Sequence, residues 1–142
     1  MNVTDGSLKT SYVYDADPEA VFDAWTEASQ VVQWFVCAED PASRVEIDLR
    51  VGGDYLIHWD RTATGPKTLR GTYREIDRPR RLVFTWRWDG SEEETVVAME
   101  FVARAGKTEV SLRHSGFTSS GSRDEHDTGW GFCFRSSTRL FP

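Results

Sequence analysis

Three histidines, two cysteines and an acidic cluster near the C-terminus are the side chains of this 142-residue sequence whose types could move protons, attack an electrophile or hold a metal. His58, His114 and His126 ordinarily titrate near neutrality, so each is a candidate acid, base or ligand. His58 shares alternation parity with Asp54, Leu56 and Asp60, opposite Tyr55, Ile57 and Trp59, and is expected to face solvent. His114 shares parity with Val110 and Leu112 and is expected to point inward. There it is either an acid or base or, the favoured reading, a hydrogen-bonded structural histidine anchoring the loop to Phe117, because buried polar groups are normally satisfied internally. His126 falls in a solvated helix start, and Asp124, His126 and Asp127 occupy different sides of that helix, so they do not converge on a metal. Cys37 and Cys133 lack any Cys-x-x-Cys or Cys/His spacing and read as buried or half-buried thiols. There is no Gly-x-Ser-x-Gly elbow, phosphate loop or dinucleotide fingerprint, and Ser115 points away from the adjacent His114. No catalytic residue, metal or cofactor is assigned, and the reading favours a binding protein over an enzyme.

The elements that must position these groups are strands. In Arg80 to Asp89, Leu82, Phe84, Trp86 and Trp88 fall on one face and Val83, Thr85 and Arg87 on the other. A row of large rings needs an apolar volume opposite it, either a filled core or a ligand cavity. Period-two alternation also marks Ser7–Tyr14, Val45–Leu49, Tyr55–Trp59, Thr68–Ile76, Thr95–Val102 and Thr108–Ser115, with a hairpin signal at Val51-Gly52-Gly53-Asp54. Gly71 inside a strand indicates a bend or a close backbone approach. Asp17-Pro18 predicts a helix start, with Val21, Phe22 and Trp25 on its inner face. A second short helix, capped by Thr26, is predicted over Glu27 to Phe35, followed by a loop from Val36 to Ser43. A last helix starts near Asp124 with Trp130, Cys133 and Phe134 inside. Arg70, Arg74, Arg87, Glu100 and Arg113 read as cross-strand charge pairs on the wet face.

Length and composition fit one domain spanning residues 1–142, with 39% hydrophobic and 13% aromatic residues and six Trp. A net charge of -6 argues against nucleic acid or an anionic membrane as the main partner. Met1 to Gly6 carries no secretory pattern and no apolar window is long enough to span a bilayer, so a cytoplasmic location is expected.

Several motifs in order resemble the START-like, or SRPBCC, helix-grip superfamily and, within it, the family named for the activator of heat-shock-protein-90 ATPase homologue. They are Asp17-Pro18-Glu19-Ala20-Val21-Phe22-Asp23-Ala24-Trp25-Thr26, Gln33-Trp34-Phe35, Asp48-Leu49-Arg50-Val51-Gly52-Gly53-Asp54-Tyr55, Gly71-Thr72-Tyr73, Pro79 to Trp86, Lys107-Thr108-Glu109-Val110, Arg113-His114-Ser115-Gly116-Phe117 and Gly129-Trp130. The resemblance implies an α+β helix-grip fold: a curved antiparallel sheet of about seven strands, two short helices after strand 1, and a C-terminal helix over the concave face and an internal cavity. The sequence departs from the pattern after Gly129, where Gly131 to Pro142 is serine-rich and poor in strong helix formers. A truncated helix with a more open pocket is expected there, or cover from a partner chain in a homodimer.

The resemblance implies binding of a small hydrophobic or aromatic ligand in the cavity, lined by Trp34, Tyr55, Trp59, Tyr73, Trp86, Met99, Phe101, His114 and Trp130. Core packing is the competing role for each ring. Two alternatives stand beside it: a co-chaperone-type interaction module stimulating a chaperone ATPase, and a cyclase- or hydrolase-like enzyme using His114.

Overall fold

The computed structural model describes residues 6–142; Met1 to Asp5, read above for the absence of a secretory leader, lie outside the described residues. The strand β1 (Leu8–Tyr14) is followed by α1 (Pro18–Thr26) and α2 (Ala28–Trp34). A small hairpin of β2 (Val36–Cys37) and β3 (Asp40–Pro41) comes next, in the stretch expected to be a loop. Then come β4 (Arg44–Ile47), β5 (Asp54–Trp59), β6 (Lys67–Asp77), β7 (Arg81–Trp88), β8 (Thr95–Arg104), β9 (Lys107–Ser115) and α3 (Ser120–Ser137). The seven long strands form one antiparallel sheet in the order β1-β9-β8-β7-β6-β5-β4. This is the helix-grip architecture. Consecutive strands pair through short turns, and β1 closes the far edge against β9.

Local chemistry explains the boundaries. The Asp17 carboxylate accepts from the Ala20 amide at 2.9 Å and Pro18 occupies the first turn of α1, where a missing N–H costs nothing. The expected Thr26 cap of α2 is not formed: its hydroxyl donates back to the Phe22 carbonyl at 2.8 Å, inside the preceding helix. The β8–β9 turn has φ of 51° at Ala105 and 83° at Gly106, the left-handed pair that suits a two-residue hairpin.

The C-terminal helix corrects the sequence reading most. It begins at Ser120, where Ser119 caps the Ser122 amide at 3.1 Å, and runs 18 residues despite Gly121, Gly129 and Gly131. Low intrinsic propensity is outweighed by burial of Trp130, Cys133, Phe134 and Ser137 along one face. The serines contribute: Tyr14 Oη donates to Ser137 Oγ at 2.6 Å, and Ser137 Oγ donates to the Phe134 carbonyl at 2.8 Å, which fixes the helix end to β1. With α3 complete, the short-helix premise for a covering partner chain is removed. No described helix is long and apolar enough to cross a membrane.

The inward row of β7 is as expected from alternation: Leu82, Phe84 and Trp86 are buried, Trp88 is half-buried, and Arg87 is exposed. On the wet face Arg81 pairs with Glu75 and Glu100, each at 3.0 Å, and Arg70 with Asp89 at 2.8 Å.

Candidate functional site

The concave face has two ends of opposite character. At one, α1 and α2 press Trp25, Val31 and Trp34 onto Tyr55, Ile57, Tyr73 and Phe84, and the remaining cavity is about 30 Å³, room for about two waters. Gly71 permits this closure. A Cβ placed there would lie 2.0 Å from the Thr85 carbonyl oxygen and 2.3 Å from Tyr55 Cε2. Tyr55 Oη donates to that same carbonyl at 2.6 Å, while the Thr72 amide donates to Thr85 Oγ1 at 2.8 Å. The phenol is thus wedged between β6 and β7, and only glycine leaves room for it.

Beside Trp86 and Trp130 lies a buried polar chain. Trp130 Nε1 donates to His114 Nδ1 at 3.1 Å, so His114 carries its proton on Nε2 and donates to Thr95 Oγ1 at 2.7 Å; Thr95 in turn donates to the Trp86 carbonyl at 3.3 Å. Burial, reinforced by the neighbouring His126, lowers the His114 pKa to about 2. With both ring nitrogens engaged and the imidazole fully buried, His114 is a structural linker, and its arrangement offers no free lone pair for acid–base work. Its ring lies 4.5 Å from Phe117, the anchoring anticipated from sequence.

At the other end α3 packs on the β2–β3 hairpin, where Cys133 Sγ donates to the Val36 carbonyl at 3.4 Å, and leaves a half-open cleft of about 260 Å³ beside β7. Its walls are rings: Phe35, Trp86, Trp88, Trp130 and Phe132, with His126 among them. The indoles meet edge to face or tilted, Trp86 against Trp88 at 5.9 Å and against Trp130 at 5.0 Å. Lys67 lies at the opening with its Nζ 5.4 Å from the Trp88 ring centre, and Glu125 stands nearby. Lys67, Trp88, Glu125 and His126 also line a more polar trough of about 420 Å³ that extends toward His58, Asp89 and Ser122. Both cysteines border the cleft as protonated thiols: burial pushes Cys133 up to about 12 and raises Cys37.

His126 departs from its expected place. Because α3 starts four residues earlier than anticipated, His126 turns toward the sheet. Its Nδ1 donates to the Ser122 carbonyl at 2.7 Å and its Nε2 accepts from Trp88 Nε1 at 3.1 Å. The i, i+4 spacing of His126, Trp130 and Phe134 was the signal that could have placed it. His58 is half-buried rather than fully solvated, between Thr68 Oγ1 at 2.8 Å and Asp60 at 3.1 Å. No cluster of three or more metal-ligating side chains occurs among the described residues.

Of the nine residues expected around a cavity, Trp86 and Trp130 line the large cleft, and Trp34, Tyr55 and Tyr73 line the small cavity. Trp59, Met99, Phe101 and His114 are buried and border neither; Trp59 donates to the Asp40 carbonyl at 3.0 Å and Phe101 packs edge-on against Phe22. Phe35, Cys37, Lys67, Trp88, His126 and Phe132 are cleft residues outside that set.

The sequence matches the family described as Activator of Hsp90 ATPase homolog 1-like protein over residues 15–140. No curated protein matches. Protein CV1439 from Chromobacterium violaceum is similar at 20% identity and TM-score 0.85, covering 95% of this chain and 96% of that one. An HSP90 activator from Plasmodium falciparum is 22% identical with a TM-score of 0.73, covering 95% and 94%. DynU16, a putative protein in the dynemicin biosynthetic locus, is 18% identical with a TM-score of 0.79, covering 96% of this chain and 47% of its own. At these identities the solved structures speak for the fold, and the family match over nearly the whole length carries the assignment: the chain belongs to the Activator of Hsp90 ATPase homolog 1-like family.

Proposed function

We propose that the protein binds a small hydrophobic or aromatic molecule in the cleft between α3 and β7. The observation that carries this reading is the half-open space of about 260 Å³ walled by three indoles and two phenyl rings, with a few polar groups at its mouth. It lies just below the lower end of typical ligand pockets, roughly 300 Å³, which suits a molecule of two or three fused rings. Neither cysteine nor His126 is poised for chemistry in the cleft. The thiols are protonated and both nitrogens of His126 are engaged, so binding without a chemical step fits the chemistry.

Gly129 provides the test. It borders the cleft, and a Cβ there would meet nothing within 4 Å, so Gly129→Leu fills the space from a helix that accepts leucine readily. Tryptophan fluorescence and calorimetry with a panel of planar aromatic compounds are expected to give saturable binding that Gly129→Leu abolishes while the circular dichroism spectrum is retained. Binding that is indifferent to Gly129→Leu places the ligand elsewhere and defeats the reading.

The family description and the Plasmodium HSP90 activator favour a second reading, a protein-interaction module acting on a chaperone ATPase. Adding this chain to the chaperone and finding an unchanged ATPase rate removes it.

A further inference from the structure

The aromatic cleft and the polar trough beside it meet at four side chains, Lys67, Trp88, Glu125 and His126, which line both. Most polar groups around this junction are already paired. Trp88 Nε1 donates to His126 Nε2 at 3.1 Å, and His126 Nδ1 donates to the Ser122 carbonyl at 2.7 Å. In the trough, Asp89 is held by Arg70 at 2.8 Å, His58 lies between Thr68 and Asp60, and Glu93 accepts from Thr118 Oγ1 and Ser122 Oγ, each at 2.7 Å. Lys67 and Glu125 are the exceptions among the charged side chains: neither has an ion-pair partner among the described residues. Lys67 is half-buried at the first position of β6, with its Nζ 5.4 Å from the Trp88 ring centre, and Glu125 belongs to α3 on the other wall. The mouth of the aromatic cleft is thus flanked by an unpaired ammonium on one side and an unpaired carboxylate on the other.

From this we infer the ligand class: an aromatic zwitterion, an α-amino acid with a fused two-ring side chain, whose rings lie in the cleft and whose head spans the mouth, carboxylate toward Lys67 and ammonium toward Glu125. The inference rests on the cleft reading above and goes beyond it by assigning the polar end of the ligand. A partly buried ammonium without a counter-ion is unfavourable, and a ligand carboxylate supplies one. A head carrying a single charge is a poorer match. An anion that reaches Lys67 gains that pair but stands near Glu125, and a cation that reaches Glu125 stands near Lys67, so like-charge repulsion offsets part of either gain. The zwitterion complements both walls at once.

L-Tryptophan, tryptamine and indole-3-propionate form the matched probe set, with one indole and one side-chain length in common: tryptamine lacks the carboxylate and indole-3-propionate lacks the ammonium. Affinities are read from ¹H–¹⁵N NMR titrations of the protein, which do not depend on ligand fluorescence. The wild-type protein is expected to bind tryptophan about fivefold more tightly than either of the other two, the worth of one solvent-accessible ion pair. Lys67→Met is expected to abolish the preference for tryptophan over tryptamine, and Glu125→Gln the preference for tryptophan over indole-3-propionate. The wild-type ranking stands without either variant having to fold. Tryptamine or indole-3-propionate binding as tightly as tryptophan, or a preference that survives its variant, overturns the zwitterion assignment while leaving the cleft reading intact, provided planar aromatic compounds still bind in a manner that Gly129→Leu abolishes. Failure of those compounds and of all three probes to bind in a manner sensitive to Gly129→Leu overturns the two together.

Discussion

The two ends of the concave face use the same kind of residue for opposite results. At the α1–α2 end, Trp25, Trp34, Tyr55, Tyr73 and Phe84 close on one another and leave about 30 Å³. At the α3 end, Trp86, Trp88, Trp130, Phe35 and Phe132 stand around about 260 Å³. Ring content does not separate them. The difference lies in where the cover seats: α1 and α2 pack on β4, β8 and β9, whereas α3 meets the sheet at β1, where Tyr14 bonds Ser137, and otherwise rests on β2 of the small hairpin. An aromatic row on a strand therefore marks burial, and the covering element decides whether the row is core or cleft.

Gly71 gives the largest expected effect. At the tightly packed end a single added methyl has nowhere to go, because its nearest neighbours are a backbone carbonyl at 2.0 Å and a ring held in place by its own hydrogen bond. Gly71→Ala is expected to cost about 3 kcal/mol, the upper part of the range for overpacking a core. Urea unfolding measures it. A loss below about 1 kcal/mol would mean that Tyr55 can leave its wedge freely, and the contrast between a rigid and an open end would weaken accordingly.

The buried polar chain beside Trp86 and Trp130 should respond to pH. His114 has its folded pKa lowered to about 2, far below the ordinary 6.5, so between those values the unfolded chain takes up a proton that the folded chain refuses. Its contribution to stability is constant above about pH 6.5 and is lost as pH falls below that value, at up to about 1.4 kcal/mol per pH unit. Unfolding free energies are expected to drop by about 2 kcal/mol from pH 7 to pH 5, and His114→Phe is expected to flatten that dependence. An unchanged slope in the variant would show that the imidazole is not held neutral by the core.

Much of this arrangement was legible in the sequence. Alternation gave the faces of β5, β7, β8 and β9, because strand side chains must alternate and one face was plainly apolar. Gly71 signalled a close approach, and the approach is Tyr55 entering between two strands. The last helix and its inner face of Trp130, Cys133 and Phe134 were as expected, but its start and length were misjudged because propensity is a weak guide: Gly129, Gly131 and the serines argue against a helix locally, and burial of Trp130, Cys133, Phe134 and Ser137 overrides them. That misjudgement displaced His126 from the cleft. Phe35 stood in the Gln33-Trp34-Phe35 motif and Cys37 read as a buried or half-buried thiol, but nothing in the sequence joined them to Lys67 and Phe132, since the four meet only through contacts among α3, the β2–β3 hairpin and the edge of β6, which no local period encodes. The division of nine expected lining residues between a small cavity, a large cleft and plain core has the same origin: alternation tells which residues face inward, not how closely the opposite layer approaches.

The smallest expected effect is the mirror of the first. Gly129 sits in the middle of α3 at the edge of the open cleft, and a Cβ there meets nothing within 4 Å. An added methyl at this position encounters no steric opposition and removes backbone freedom from the unfolded chain, so Gly129→Ala is expected to stabilise the protein by about 0.5–1 kcal/mol. Thermal and urea unfolding of Gly71→Ala and Gly129→Ala side by side thus compare one identical chemical change at the two ends, with opposite signs expected. If Gly129→Ala destabilises instead, α3 lies closer to the sheet in solution than the 260 Å³ cleft requires, and the two ends are packed alike.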